Sequence, residues 1–187
     1  MAHYLHIGGL ETALSQHADE AYHELDLRQR AIAEIMFRNL SERGSDRRDT
    51  RRPVLLSEVA ALAKVPWQEV AAVVEVFRQE GRSFLTPPPG TALTPSSLLD
   101  ISHESLIRQW QRLQEWTTQE AESAELYQRL EDSGRRWADG HAALWRTPEL
   151  ENALAWRERT RPTAEWAKRY GQHFDLAMRF LDLSAAH

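Results

Sequence analysis

The segment Pro53 to Ser102 constrains the fold more than any other stretch of the chain. Pro53-Val54-Leu55-Leu56 is short, apolar and β-branched enough to read as an extended piece. Ser57 is placed to cap a helix carrying Val59, Leu62 and Ala63 in its early turns, and Val65-Pro66 breaks that helix. Trp67 to Gln79 reads as a second helix burying Val70, Val73, Val74 and Phe77, and Gly81 ends it. Ser83 to Thr86 then predicts a strand, TPPPGTALTPS a long turn, and Leu98 to Ser102 a returning strand. Together with a helix from about Asp26 to Leu40, the order is helix, short strand, helix, helix, hairpin. That is the order of a winged helix, a helix-turn-helix core plus a β-hairpin wing.

Around this segment the pattern is helical. Leu10, Ala13, Leu14, Ala18 and Ala21 follow Gly8-Gly9 at helical spacing, the glycines loosening the start. In the next helix Asp26 is placed as N-cap. Leu27, Ala31, Ile35 and Leu40 lie near one face there, widened by Ile32, Met36 and Phe37. Ser41 to Arg52 has no apolar residue and reads as a solvated loop.

After Ser102, a possible cap, a long helix begins at HESLIRQW with Leu106, Trp110 and Leu113 on one face, and its period carries on toward Trp137. Its middle, TTQEAES, is weakly apolar and predicts either an exposed stretch or a break. Trp110 and Trp137 are 27 residues apart, roughly 180° around a straight helix. They would need different neighbours, as in an arm between packed units. Thr147-Pro148-Glu149 and Arg161-Pro162-Thr163 open two further helices, and Phe174, Ala177, Phe180 and Leu181 mark the last. The six tryptophans from Trp110 onward are 6, 21, 8, 11 and 10 residues apart, without a repeat period. The chain is therefore expected to be mainly α: residues 1–25 an N-terminal helical segment, 26–102 a winged-helix domain, and 103–187 a helical arm or bundle.

Composition removes several functions. The 187 residues include no cysteine, so disulfides, thiolate metal sites and a cysteine nucleophile are absent. The longest aliphatic runs, Val59 to Ala63 and Val70 to Val74, are five residues long, against roughly 20 for a membrane span. MAHYLHIGGL lacks the basic start and apolar core of a signal peptide, so a cytoplasmic chain is expected. The net charge of −5 argues against a general nucleic-acid binder. So does the prospective recognition helix. Between Pro66 and Arg82, Arg78 and Arg82 face Glu69, Glu75 and Glu80, a net of −1, and the wing adds Asp100 without Lys or Arg.

No catalytic constellation emerges. Neither GxxxxGK[ST] nor GxGxxG occurs, and there is no GxSxG. The second histidine of HExxH would fall at 107, which is Ile107. The eight histidines form no metal spacing, and His3 and His6 are most simply a tail. His103 stands apart because it follows the wing strand and opens a helix. Free backbone N–H groups there favour phosphate, and an imidazole can add a donor. The plainer alternative is a histidine that caps or packs at the junction. Glu104 in the same turn would repel an anion if it pointed the same way.

Leu98 to Trp116, LLDISHESLIRQWQRLQEW, resembles the hydrophobic-HE-x-L-hydrophobic-R-x-W-x-x-L-x-x-W signature of bacterial STAND NTPases, where it joins a winged helix to a helical arm. HIGGLETALSQHADEAYHEL is similar to that group's GGLxxALxxHA helix. ENALAWRERTRPTAEWAKRYG and AMRFLDLS resemble the arm that precedes WD40-type or other sensor repeats. The resemblance implies that His103 occupies the place of the MHD-type histidine, which contacts the β-phosphate of ADP in the related NB-ARC ATPases. Glu104 stands where those proteins have Asp, Ser102 where they have an apolar residue, and Glu11 where a GLPL-type motif has proline.

The resemblance further implies Walker A and B strands upstream of this chain, so the chain alone is expected to be no enzyme and to hold no cofactor. ATP or ADP would bind the parent protein. The implied role is a regulatory, signal-transducing module between an upstream NTPase domain and downstream repeats, with homo-oligomers on activation. A winged-helix transcription regulator and a stand-alone helical adaptor are the alternatives.

Overall fold

The computed structural model describes residues 3–187, with side-chain surroundings given for Gly9 and from Thr12 onward. The chain is mainly helical with small sheets, and it divides after Glu120 into two compact units.

In the first unit, α1 (His3–His23) runs straight through Gly8 and Gly9, so the glycines do not delay the helix as the sequence suggested. Among its described side chains the fully buried ones are Ala18 and Ala21, small residues that let a neighbouring backbone come close. Helix α2 (Leu27–Leu40) starts at the predicted cap. The Asp26 carboxylate accepts from Gln29 N at 2.8 Å and Gln29 Oε1 accepts from Asp26 N at 3.1 Å, a reciprocal capping box. The buried stripe is Ile32, Ala33, Met36, Phe37 and Leu40. The expected face lay one residue too early: Leu27 is 82 % exposed and Ala31 is exposed as well.

The polar stretch after α2 is a hairpin rather than a solvated loop. β1 (Ser41–Arg43) and β2 (Asp49–Arg51) pair antiparallel with Ser41 opposite Arg51 and Arg43 opposite Asp49. Side chains supply the cohesion that apolar residues normally would. Arg43 Nε donates to Asp49 at 2.9 Å, and the buried Ser41 hydroxyl meets Thr117 Oγ1 at 3.0 Å.

β3 (Val54–Leu55) leads into α3 (Leu56–Ala63), whose N-cap is Leu55 and not Ser57. The Leu56 and Ser57 amides are satisfied instead by the carbonyls of Ser97 and Pro95. Lys64 ends α3 in the left-handed region at φ 54°, and α4 (Trp67–Arg78) follows. It buries Val70, Val73, Val74 and Phe77, as the spacing predicts. β4 (Leu85–Thr86) and β5 (Leu98–Ile101) complete an antiparallel sheet in the order β3-β5-β4. Along β5, Leu99 and Ile101 point into the core and alternate with Leu98 and Asp100.

Helix α5 (Glu104–Gln109) stops at Trp110, whose ψ of 102° is extended, and α6 (Gln111–Ala138) begins immediately after. The single helix read from the sequence is thus broken at Trp110. The TTQEAES stretch is neither a break nor simply exposed: it is helical, and Thr117 and Glu120 within it are buried. Trp110 closes the first core, with its ring 4.9 Å from Phe37 and edge-on to it. Phe77 and Trp116 complete that aromatic group.

The second unit packs the rest of α6 with α7 (Glu149–Thr160), α8 (Ala164–Ala167) and α9 (Phe174–Ala185). Its core holds Tyr127, Leu130, Trp156, Phe180 and Leu181. Gly134 admits α9, since a Cβ there would sit 3.3 Å from Phe180 Cβ. Pro148 itself occupies the N-cap of α7, one place later than the expected Thr147, whereas Thr163 caps α8 by accepting from Trp166 N at 3.2 Å. Trp110 belongs to the first core and Trp137 packs on the second; the break at Trp110 removes the straight-helix offset as the reason. No helix among the described residues is long and apolar enough to cross a membrane.

Candidate functional site

The turn from β5 into α5 places His103. Ile101 on one side and Leu106 and Ile107 on the other are buried, so both flanks are anchored in the first core. Ser102 N donates to Phe84 O at 3.0 Å, continuing the hairpin by one bond beyond its last pair. His103 is then the N-cap of α5, with φ −138° and ψ 133°. Its carbonyl accepts from Leu106 N at 3.0 Å, but its imidazole makes no capping bond and is exposed. Neither is Ser102 the cap. Glu104 does not face the same way as an incoming anion would require of a repellent group: its carboxylate is drawn along the helix to Arg108 Nη2 at 3.0 Å.

Two neighbouring elements brace this turn. On one side β2 packs against α5, and Arg51 Nη1 donates to Ile101 O at 3.1 Å while standing 3.5 Å from the Asp100 carboxylate. On the other side α1 packs against α5. Asp19 Oδ1 accepts from Trp110 Nε1 at 2.8 Å and from Arg112 Nε at 3.0 Å. The Arg112 guanidinium lies over the Tyr22 ring at 4.2 Å, a cation–π contact.

The arginines that a DNA reader would need are engaged elsewhere. Arg78 is 2 % exposed, and it donates to the carbonyls of Pro87, Pro88 and Thr91 at 3.1, 3.0 and 2.7 Å. Its Nε reaches Glu75 at 3.0 Å. Arg82 pairs with Glu24, bonding at 3.0 Å through Nη1, and the guanidinium's hydrogen bonds hold the Glu24 carboxyl below its ordinary pKa. Glu69 is taken by Arg28 at 2.6 Å. On the β1–β2 hairpin, Arg43 and Arg51 are also paired, and the Arg52 guanidinium donates to Asn39 O.

Other candidates stay apart from the turn. His17 packs edge-on to Phe84 at 5.3 Å, and His173 is the N-cap of α9. His3 and His6, and the comparison at Gly8, Leu10 and Glu11, concern side chains outside those described. Among the described residues no group of three or more His, Asp or Glu could hold a metal ion.

Four structural roles have no counterpart in the sequence reading: those of Asp19 and Arg51 beside this turn, of Arg78 under the Pro87–Thr91 loop, and of Glu131 within the second unit. One signal was available for Asp19, because a buried tryptophan needs an acceptor for its indole N–H. The other three answer to backbone groups distant in sequence, which leave no local pattern. Glu131, for instance, accepts from the amides of Gln172 and His173 and so caps α9 from another helix.

A family model described as novel STAND NTPase 1 matches residues 1–143. No curated protein and no solved structure matches the chain.

Proposed function

The chain belongs to the novel STAND NTPase 1 family, and from that premise we propose that it is a non-catalytic regulatory module of a nucleotide switch. On this reading residues 26–102 are a winged helix: α2, α3 and α4 are the helix-turn-helix core, and β4 and β5 are the wing, with β3 beside them. An NTPase domain upstream supplies the P-loop, and ATP or ADP binds there. WD40-type or other sensor repeats follow the helical arm, and the parent protein works in the cytoplasm.

His103 is the phosphate contact of the resting, ADP-bound form. Its imidazole is exposed and uncommitted, and Glu104 is held aside by Arg108, so an anion can approach. Losing that contact when ADP leaves shifts the population toward an open form that homo-oligomerises. The observation that carries this reading is the family match over residues 1–143. In the parent protein, His103→Ala should raise oligomerisation in the absence of any activating ligand, as measured by light scattering after size exclusion. Unchanged basal oligomerisation would sink the proposal.

The alternative of a DNA-reading winged helix loses its chemistry at Arg78 and Arg82, both of which are spent on internal partners. Fluorescence polarisation with duplex DNA should therefore show no sequence-dependent, salt-sensitive binding by this chain.

A further inference from the structure

The break between α5 and α6 follows from no proline or glycine, and its one local contributor is the Gln114 side chain, whose Nε2 donates to Arg108 O. From Glu104 to Ser133 the chain contains neither proline nor glycine, and the apolar period of Leu106, Trp110 and Leu113 continues across the break. Sharp departures from a helix ordinarily trace to Pro, Gly, a bulge or an inserted side chain. Here the extended backbone at Trp110 leaves the first amides of α6 without acceptors one turn back. A continuous helix would satisfy them.

The remaining contacts that hold the break lie on α1. Ser15 Oγ accepts from Gln111 N at 3.4 Å. Asp19 accepts from the Trp110 indole and from Arg112, and Tyr22 lies under the Arg112 guanidinium. Ser15, Asp19 and Tyr22 are spaced four and three residues apart, so one face of α1 grips the three consecutive residues Trp110, Gln111 and Arg112.

We propose that α1 is a latch that keeps α5 and α6 apart at Trp110, and that releasing it lets residues 104–138 join into one helix. Joining swings α5 with the His103 turn at its start, so a displacement of α1 is converted into a displacement of His103. The meaning of that movement for a bound nucleotide rests on the function proposed above; the latch itself does not.

Nuclear magnetic resonance of this chain without nucleotide tests the latch. In Asp19→Ala, the Trp110 13Cα shift should move from extended to helical. Amide exchange at Gln111, Arg112 and Leu113 should slow by about tenfold or more, because those amides gain intrahelical acceptors. Mere loosening would speed the same amides. Adding Gln111→Pro should return Trp110 to the extended shift. Proline is tolerated as the first residue of α6 but cannot sit inside a joined helix, and it favours an extended residue before it. An extended Trp110 with unchanged or faster exchange in Asp19→Ala overturns the proposal. If that variant does not fold, Asp19→Asn keeps an acceptor for the indole and removes the charge facing Arg112. It should then show a partial shift of Trp110 toward helix, and no shift overturns the proposal equally. Because nucleotide is absent, failure here leaves the role of His103 standing, and success does not establish it.

Discussion

A guanidinium can be buried only where acceptors meet its donors, and Arg78 meets three loop carbonyls and a carboxylate. Arg78 thereby ties the Pro87–Thr91 loop to α4. Arg78→Met keeps the apolar stem and orphans those carbonyls. It should cost about 2–3 kcal/mol in urea unfolding, and Arg78→Lys should recover only part, since an ammonium cannot span the same fork. Tyr127 poses the opposite problem. Burial, then the charge of Glu131, then their 3.5 Å hydrogen bond push its phenol up to about 12 from 10.0. A folded-state value above the unfolded one means the contribution is complete below pH 10 and is lost as pH rises toward 12. Ultraviolet difference titration should place Tyr127 at the alkaline end of that range. Tyr127→Phe should remove the corresponding part of the alkaline loss of stability.

Elements with apolar periodicity or a local cap were legible from sequence. α4 buries the residues its spacing picks out, α9 buries Ala177, Phe180 and Leu181 with Phe174 half-buried, and Asp26 caps α2 through a bond three residues long. Elements made by distant polar partners were not legible. The β1–β2 hairpin is fixed by Arg43, Asp49 and a hydroxyl pair with Thr117, so its composition resembles a loop. The stop at Trp110 draws on α1, 91 positions away in the case of Asp19, and on the Gln114 side chain at Arg108 O, neither of which is marked by a proline or glycine. The position of His103 at the start of a helix after the returning strand was legible. The bracing of its turn by Arg51 was not, because the bond runs to a backbone carbonyl 50 positions away. The end of α3 carries no glycine signal in the sequence, because Lys64 itself adopts φ 54° and ψ 44°. Lys64→Gly should relieve the left-handed backbone and stabilise the chain by about 0.5–1 kcal/mol in thermal unfolding.

At the scale of the whole chain, two cores share one helix's worth of sequence. Trp110, Leu113 and Trp116 serve the first, and Tyr127, Leu130 and Trp137 serve the second. The family match ends at residue 143, inside the second unit, so α7, α8 and α9 lie beyond it. The proposed regulatory reading accordingly concentrates on the first unit, where α5 and the β4–β5 hairpin flank the exposed His103. Release of fluorescent ADP from the parent protein tests that reading most directly. Stopped-flow measurement should show His103→Ala releasing ADP about tenfold or more faster than wild type, the loss of one charge-assisted hydrogen bond of about 1.4 kcal/mol or more. An unchanged release rate would contradict the assignment of His103 and, with it, the account of how this module holds its switch at rest.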